Sequence, residues 1–383
     1  MSARAAENHY DCVIVGAGIL GLAHALAAVR RGLRVAVLDR EARTVGASIR
    51  NFGFITVTGQ EAGITWRRAR RARDVWADVA EQAGIPILQR GLTVCARRPE
   101  ALSVLRDFLD HPMGAFCRLR APDDLPAGYR RDIAGALESP HELRVESREA
   151  IPRLSEWLAS RGVTFARPVA VHGVGVGAVH AADGTTWRAP HIVVCPGPDL
   201  ATLFPHVMAR RGVTLCKLHM LRVADPGFAL AHPTMSDLGL LRYLGYAAAP
   251  SLPALRARVE AEQAAWLADG IHLIAVRGAD GSLVVGDSHH YGPAHDPFQP
   301  DDVDARILAE LSAVLEIPAP RVVERWIGVY PSGPDVAFTE APAAGVRLVM
   351  VTSGTGASTA FAIAEETLAD LHGEAPPPHV AQT

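Results

Sequence analysis

Residues 10–39 read YDCVIVGAGILGLAHALAAVRRGLRVAVLD, and the order of residue types in this stretch decides the fold. Tyr10 to Val15 is a β-branched apolar run bounded by polar residues, which predicts a buried strand. Gly16, Gly18 and Gly21 follow in the spacing G-x-G-x-x-G. A helical pattern then runs from Ile19 to Arg31, with Gly32 as a plausible C-cap, and a second strand ends in Asp39. The glycines permit a tight turn, close helix packing, and approach of a pyrophosphate to backbone N–H groups at the helix N-terminus. Asp39 is suited to accept hydrogen bonds from a ribose diol, and an acid there disfavours a 2′-phosphate. The glycine motif alone is weak evidence. Strand, glycines, helix, strand and acid in this order predict dinucleotide binding by Gly16, Gly18, Ile19, Gly21, Asp39 and the adjoining Arg40, without separating FAD from NAD.

The composition is globular, 49% hydrophobic and 21% charged, which excludes a low-complexity chain. The 383 residues suggest two intimately joined domains. A formal net charge of -3 gives no support to a nucleic-acid partner. The five cysteines (Cys12, Cys95, Cys117, Cys195, Cys216) are scattered and never form C-x-x-C, which argues against a disulfide framework or zinc site. The apolar run Cys12–Val29 is better read as a βα unit than as a membrane span, because Gly16, Gly18, Gly21 and His24 interrupt it. A soluble cytoplasmic protein is expected.

Two later segments extend the nucleotide unit. DGTTWRAPHIVVCPG, residues 183–197, reads as a turn, a short strand, an apolar strand and a break at Gly197. RLVMV followed by SGTGASTAFAIAEETLADL, within residues 346–371, reads as a strand, a glycine-punctuated turn and a long amphipathic helix. Gly354, Gly356 and Ser358 stand at that helix start, where backbone N–H groups can meet an anion or a flavin edge. A plain βα connection is the alternative reading. A sheet completed by the last segment of the chain favours FAD over NAD.

Taken together, GAGILG, Asp39, DGTTWRAPHIVVCPG and SGTGASTAFAIAEE resemble the D-amino-acid-oxidase-like superfamily of FAD-dependent amine oxidoreductases, which includes glycine oxidase and monomeric sarcosine oxidase. The resemblance spans about Tyr10 to Leu371. It implies an α/β (α+β overall) protein: a Rossmann-like FAD-binding domain from residues 10–90, 145–205 and 320–372, and an antiparallel-sheet substrate domain from 91–144 and 206–319, with 373–383 as a tail. The phrases GASIRNFG, CKLHMLR, GIHLIAVRGADGSLVVGDSHHYG, HDPF and ERWIGVYP are similar to FAD-dependent oxidoreductases found among phosphonate-utilisation proteins. That subgroup acts on aminophosphonates such as N-methylated 2-aminoethylphosphonate.

On those terms SIRNFGFITVTGQ, residues 48–60, is the segment that passes the pyrophosphate and runs along the isoalloxazine ring. Ser48, Arg50 and Asn51 become donors to the cofactor or the substrate cavity, and Gly53 permits close approach to the flavin; an ordinary surface arginine is the alternative for Arg50. A helix is expected from Gln60 to about Ala83, with a basic, solvated outer face (Arg67, Arg68, Arg70, Arg71, Arg73). Strands are expected over 91–98, 212–223, 240–248, 271–277 and 282–286, and helices over 252–267 and 301–315.

Lysine and arginine number 38 together, and Lys217 is the only lysine. Strand alternation in CKLHMLR places Lys217 on one face with His219. There it is a candidate point charge for a phosphonate, or a promoter of oxygen reaction with reduced flavin. An ordinary, partly exposed lysine is the alternative. In DSHHYG, Asp287, His289, His290 and Tyr291 crowd the exit of a strand, and one of them, His290 foremost, is a candidate cavity group; adjacent histidines point to opposite faces of a strand, so no metal site is expected. In amino-carboxylate oxidases of the superfamily, an arginine in the segment matching GVYPSGPD grips the substrate carboxylate. Tyr330 stands there instead, which weakens a glycine, sarcosine or D-amino-acid reading.

The implied reaction takes a hydride from the carbon beside a neutral amine, giving an imine that hydrolyses to a carbonyl compound and an amine, and it requires no side-chain general base. Lys217, His290 and Tyr330 are the catalytic candidates, and these three with Arg50 the substrate-binding ones. No cysteine or histidine matches a covalent flavin link, so FAD is expected to be non-covalent, with oxygen as electron acceptor and hydrogen peroxide formed. The leading substrate is an aminophosphonate. The alternatives are a secondary amino acid, and a non-catalytic flavoprotein used for sensing or assembly.

Overall fold

The computed structural model describes residues 9–381. Strand Cys12–Val15 is buried along its whole length and lies between Val35–Leu38 and His191–Val194, parallel to both. The parallel run continues to Thr164–Ala166 on one side and Val346–Ser353 on the other. Apolar runs without alternation suit strands covered on both faces. One cover is formed by helices Ile19–Val29, Ile64–Gln82 and Gly356–Leu371, whose Leu22, Trp76 and Phe361 share one core. The opposite cover is a three-stranded sheet, Val171–Gly175, Ala178–Ala181 and Thr186–Arg188, which packs Val179 and Trp187 against Val13 and Ile192. The parallel half is thus assembled from three separated stretches of sequence, as expected.

Past Val346–Ser353 the sheet becomes largely antiparallel. The 22-residue strand Val322–Ala343 pairs with Val346–Ser353 and also with Thr214–Val223, so it belongs to both halves. Leu283–Gly286, Ile274–Arg277, Thr234–Ser236, Ile87–Ala96, Gly135–Val145 and Phe54–Ile55 follow in that order. Helices Pro99–Leu109, Leu252–Ala268 and Asp301–Val314 contribute Leu105, Val259 and Leu311 to a second core with this half. We propose the domain division given above on the basis of these separate cores.

Three local expectations need correction. Residues 240–248 form no strand: Leu238–Arg242 is a helix and Leu244–Tyr246 a single 3-10 turn. Gly245 donates its N–H to the Gly59 carbonyl at 2.9 Å, and a Cβ there would lie 2.5 Å from the Gln60 carbonyl oxygen, so the chain folds back on the 48–60 loop instead of extending. The first long helix begins at Ile64 rather than Gln60, after Gly63 at φ +87°. Its basic face is partly ion-paired rather than simply solvated, since Arg68 and Arg71 engage Glu366 and Glu365 of the last long helix.

Candidate active site

Both glycine-rich helix starts open on one cavity of about 450 Å³ between the two halves of the sheet. Gly18, Ile19 and Gly21 line it from the first helix, Gly354, Gly356 and Ser358 from the last, and Gly197 from the turn after His191–Val194. Neither N-cap residue supplies a side-chain cap, and beyond the Ile19 N–H, which Ser48 Oγ accepts, first-turn N–H groups are left for a ligand. Gly16 does not line the cavity: at φ +101° it turns the chain where a Cβ would lie 2.2 Å from the Cys195 carbonyl oxygen. A Cβ on Gly21 would lie 1.9 Å from the Gly16 carbonyl oxygen, which fixes helix against turn. Asp39 accepts from Ala17 N–H at 2.6 Å and Glu41 N–H at 2.9 Å, a position from which it can also receive a ribose hydroxyl. Arg40 pairs with Asp199 at 2.7 Å and stands outside the cavity wall. Two helix N-termini, backbone close enough to exclude side chains and an acid at the second strand end fit an FAD diphosphate, ribose and ring.

The segment from Ser48 serves mainly to shape this wall. Ser48 Oγ accepts from Ile19 N–H at 2.9 Å, and Asn51 closes its own loop, donating to the Ala47 carbonyl at 2.9 Å and accepting from Gly53 N–H at 2.7 Å. Arg50 lines the cavity, but its guanidinium donates to the Val45 carbonyl at 2.7 Å at an exposed rim. Ser358 Oγ accepts from Thr56 N–H at 2.9 Å and so ties the segment to the last helix. Gly53 is absent from the cavity; its φ of +64° brings it against Val145, whose carbonyl oxygen a Cβ would meet at 1.8 Å. Close packing on that strand, and not on the flavin, is what requires glycine there.

Across the cavity stands Arg242, at the C-terminal end of helix Leu238–Arg242. Its Nη1 donates to Tyr291 Oη at 3.0 Å and its Nη2 to Tyr330 Oη at 3.3 Å. Among the described residues no carboxylate lies within ion-pair distance of it. Burial by itself disfavours this cation, yet Tyr330, Tyr291 and Asp287 around it hold it protonated. Because each phenol oxygen accepts from Arg242, each hydroxyl proton is free to point at a ligand. Burial also keeps the Tyr330 hydroxyl protonated, well above the ordinary range.

Asp287, His272 and His289 line the same cavity and are buried. Asp287 and His272 face each other across the hairpin, joined by backbone hydrogen bonds of 3.2 and 3.3 Å. Burial pushes the Asp287 carboxyl up to about 7 against the pull of Arg242, and burial holds both imidazoles well below their usual range. A native-state rise for an acid means that the folded chain binds more protons than the unfolded chain between about pH 4 and 7. Its contribution to stability therefore falls as pH rises through that window, and the cost is complete above it. Asp287→Asn removes the ionisation, so the melting temperature of the variant relative to wild type should rise from pH 5 to pH 8. The imidazoles oppose this trend equally in both proteins. Parallel melting curves against pH would show that Asp287 does not titrate there.

Lys217 and His290, expected in the cavity, do not line it. Their neighbour Leu218 does, so alternation turns Lys217 to the other face, where its Nζ donates to Asp296 at 3.1 Å and the Phe298 carbonyl at 3.2 Å. His290 pairs with Lys217 in the ladder, and its ring packs 5.4 Å from that of His219. Lys217→Met should accordingly change the rate of flavin reduction by less than about 3-fold, the scale of a site outside the reacting shell. A larger loss, with full flavin content, would restore Lys217 to the site. Tyr330 is the one catalytic candidate from the sequence that the cavity contains, beside Arg50 at its rim. Arg242 and His272 were not singled out by sequence reasoning as cavity groups, whereas Asp287 and His289 belong to the DSHHYG cluster from which one cavity group was expected. Asp287, His289 and Tyr291 alternate and share one face, which is why the cavity takes them and not His290.

A discontinuous parallel sheet with glycine-rich helix starts facing one cavity, joined to an antiparallel sheet through one long strand, is the framework of a two-part dinucleotide-binding protein. The chain belongs to the DAO family of FAD dependent oxidoreductases, which it matches over residues 11–371. It is similar in structure to glycine oxidase from Geobacillus kaustophilus (TM-score 0.75, 18% identity, 96% of each chain covered). It is also similar to iminodiacetate oxidase (IdaA) from Chelativorans sp. BNC1 (TM-score 0.71, 19% identity, 95% of this chain and 96% of that one). A third likeness is to dithionite-reduced L-alpha-glycerophosphate oxidase from Mycoplasma pneumoniae with FAD bound (TM-score 0.72, 15% identity, 97% of each). A comparison with curated proteins returns no match. No helix among the described residues is long and apolar enough to cross a membrane.

Proposed function

We propose that this enzyme is an FAD-dependent amine oxidoreductase whose substrate carries an anionic head group, with an aminophosphonate such as N-methyl-2-aminoethylphosphonate as the leading candidate. Arg242 carries this reading. A guanidinium facing a cavity, whose side-chain partners among the described residues are two phenol hydroxyls, is a cation kept for a ligand. With Tyr291 and Tyr330 it offers donors from three side chains, enough to reach all three oxygens of a phosphonate. Asp287, on the same cavity, supplies the opposite charge for a substrate ammonium. The cavity thus suits a zwitterion with its two charges a short chain apart.

Bound FAD supplies the two-electron acceptor for the carbon–hydrogen bond beside the amine. The chain's part is to hold the head group at Arg242 and to place the amine end of the substrate towards the glycine-rich wall. Glycine-rich backbone and apolar side chains such as Phe54, Leu218 and Ile274 limit water along that wall. FAD is held non-covalently in this reading, since the cavity cysteine, Cys195, is buried and its thiol pushed far up by burial. Oxygen is the proposed final acceptor. Incubating the yellow protein in air with N-methyl-2-aminoethylphosphonate should give aldehyde, the smaller amine and hydrogen peroxide in equal amounts. Aldehyde without peroxide would overturn the assignment of oxygen, and no aldehyde at all would overturn the substrate.

A secondary amino acid is the second reading, because a guanidinium also grips carboxylates. Tyr330 in place of the family's arginine stands against it.

A further inference from the structure

We infer that Asp287, working with His289 and His272, is the base that takes the proton from the substrate's ammonium before the neighbouring carbon is oxidised. The inference rests on the amine reading above and adds a base ahead of a hydride transfer that itself needs none, because an amine of this class enters from neutral water as its ammonium and is oxidised as the free amine.

The geometry for a proton acceptor is present. His289 Nδ1 lies 2.9 Å from the Gly270 carbonyl, which can only accept, so Nδ1 carries the proton and Nε2 presents its lone pair. That Nε2 lies 3.7 Å from Asp287 Oδ2. On the other side, His272 Nδ1 lies 3.2 Å from Asp287 Oδ1, yet neither atom makes a hydrogen bond in this arrangement. Buried polar atoms left unpaired are uncommon and call for a ligand or a proton that moves. Asp287 is therefore a carboxylate with one unpartnered oxygen, a bare imidazole nitrogen near the other, and open access to the cavity.

Burial and the groups facing Asp287 pull in opposite directions, burial pushing its carboxyl up and Arg242 drawing it down. Arg242 approaches from the helix before the hairpin, and Tyr243 from the same segment. His272 and His289 flank it from the hairpin, and Tyr330 stands beyond Arg242 on the long strand. The only cation among these is Arg242, which the substrate's head group neutralises on binding. The ammonium then meets a carboxylate poised near neutrality. The N–H bond breaks, an O–H bond forms on Asp287 or, through it, an N–H bond on His289, and the electron pair stays on the substrate nitrogen. Metal ligation by the same three side chains, whose donor atoms lie within 4.8 Å of one another, is disfavoured by the adjacent guanidinium.

Two measurements test this. In anaerobic stopped-flow experiments with N-methyl-2-aminoethylphosphonate, wild-type flavin reduction should rise with pH to a plateau through an apparent pKa near 7. Asp287→Asn should be slower by about 10²–10⁴-fold at pH 7 and recover as pH rises towards the amine's own pKa. His289→Gln, which keeps the carboxylate, should lose less and shift the profile. The second measurement does not depend on turnover. Calorimetry of the dithionite-reduced holoenzyme with the same phosphonate, in two buffers of different ionisation heat, should count about half a proton more released per site at pH 7 for wild type than for Asp287→Asn, the phosphonate's own ionisation being common to both. Equal pH profiles, equal proton counts, or a stoichiometric metal whose chelation stops reduction would overturn the inference. Failure of the wild type to be reduced by, or to bind, any such amine at any pH would instead overturn the amine reading beneath it.

Discussion

Arg242→Ala should raise the concentration of N-methyl-2-aminoethylphosphonate needed for half-maximal flavin reduction by about 10²–10³-fold. That is the scale expected when one partner of a buried charge pair is truncated. The limiting rate should fall less, because the head group is held in the ground state and the transition state alike. Arg242→Lys should recover part of the loss: it restores the charge but not a planar fork that meets Tyr291, Tyr330 and the ligand together. Rapid-mixing titrations of flavin bleaching separate the two constants. An alanine variant with affinity within about 3-fold of wild type would mean that the head group is held elsewhere, with the Arg50 rim the next place to look.

Gly21→Val should yield a colourless protein. A Cβ at that position would lie 1.9 Å from the Gly16 carbonyl oxygen, and neither the turn nor the helix can yield without losing the N–H groups that face the diphosphate. The retained flavin should fall by at least about 100-fold, read from the ratio of flavin to protein absorbance in the purified chain. Gly32→Ala is the matched control. Its φ of +76° carries a strain of about 1 kcal/mol, but nothing lies within 4 Å of the new methyl, so this variant should stay yellow. A Gly21→Val protein with full flavin would contradict the placement of the cofactor at this helix start.

How much of this was legible in the sequence follows from the range of each interaction. The first strand, glycine turn, helix and Asp39 are local, and they form as the residues require. The strand and helix at 346–371 were legible for the same reason. Gly53 was misread because its partner, Val145, is far along the chain, and sequence does not reveal which surface a glycine must approach. Lys217 was placed on the correct alternating face of its strand with His219; which face meets the cavity depends on Val322–Ala343 and His290–Gly292 alongside. Arg242 was the hardest to find. It is one of many arginines, in a segment whose leucines and tyrosines suggested a strand, and its two phenol partners are 49 and 88 residues away. Tyr330 gave half of the answer, since the missing family arginine implied a donor from elsewhere.

The measurement that bears most directly on the central claim is anaerobic bleaching of the yellow protein by a matched pair, N-methyl-2-aminoethylphosphonate and sarcosine. Rapid bleaching by the phosphonate, with sarcosine slow or inert, is the result predicted from the three-sided donor set of Arg242, Tyr291 and Tyr330. Bleaching by sarcosine alone would contradict it and make the cavity a carboxylate site.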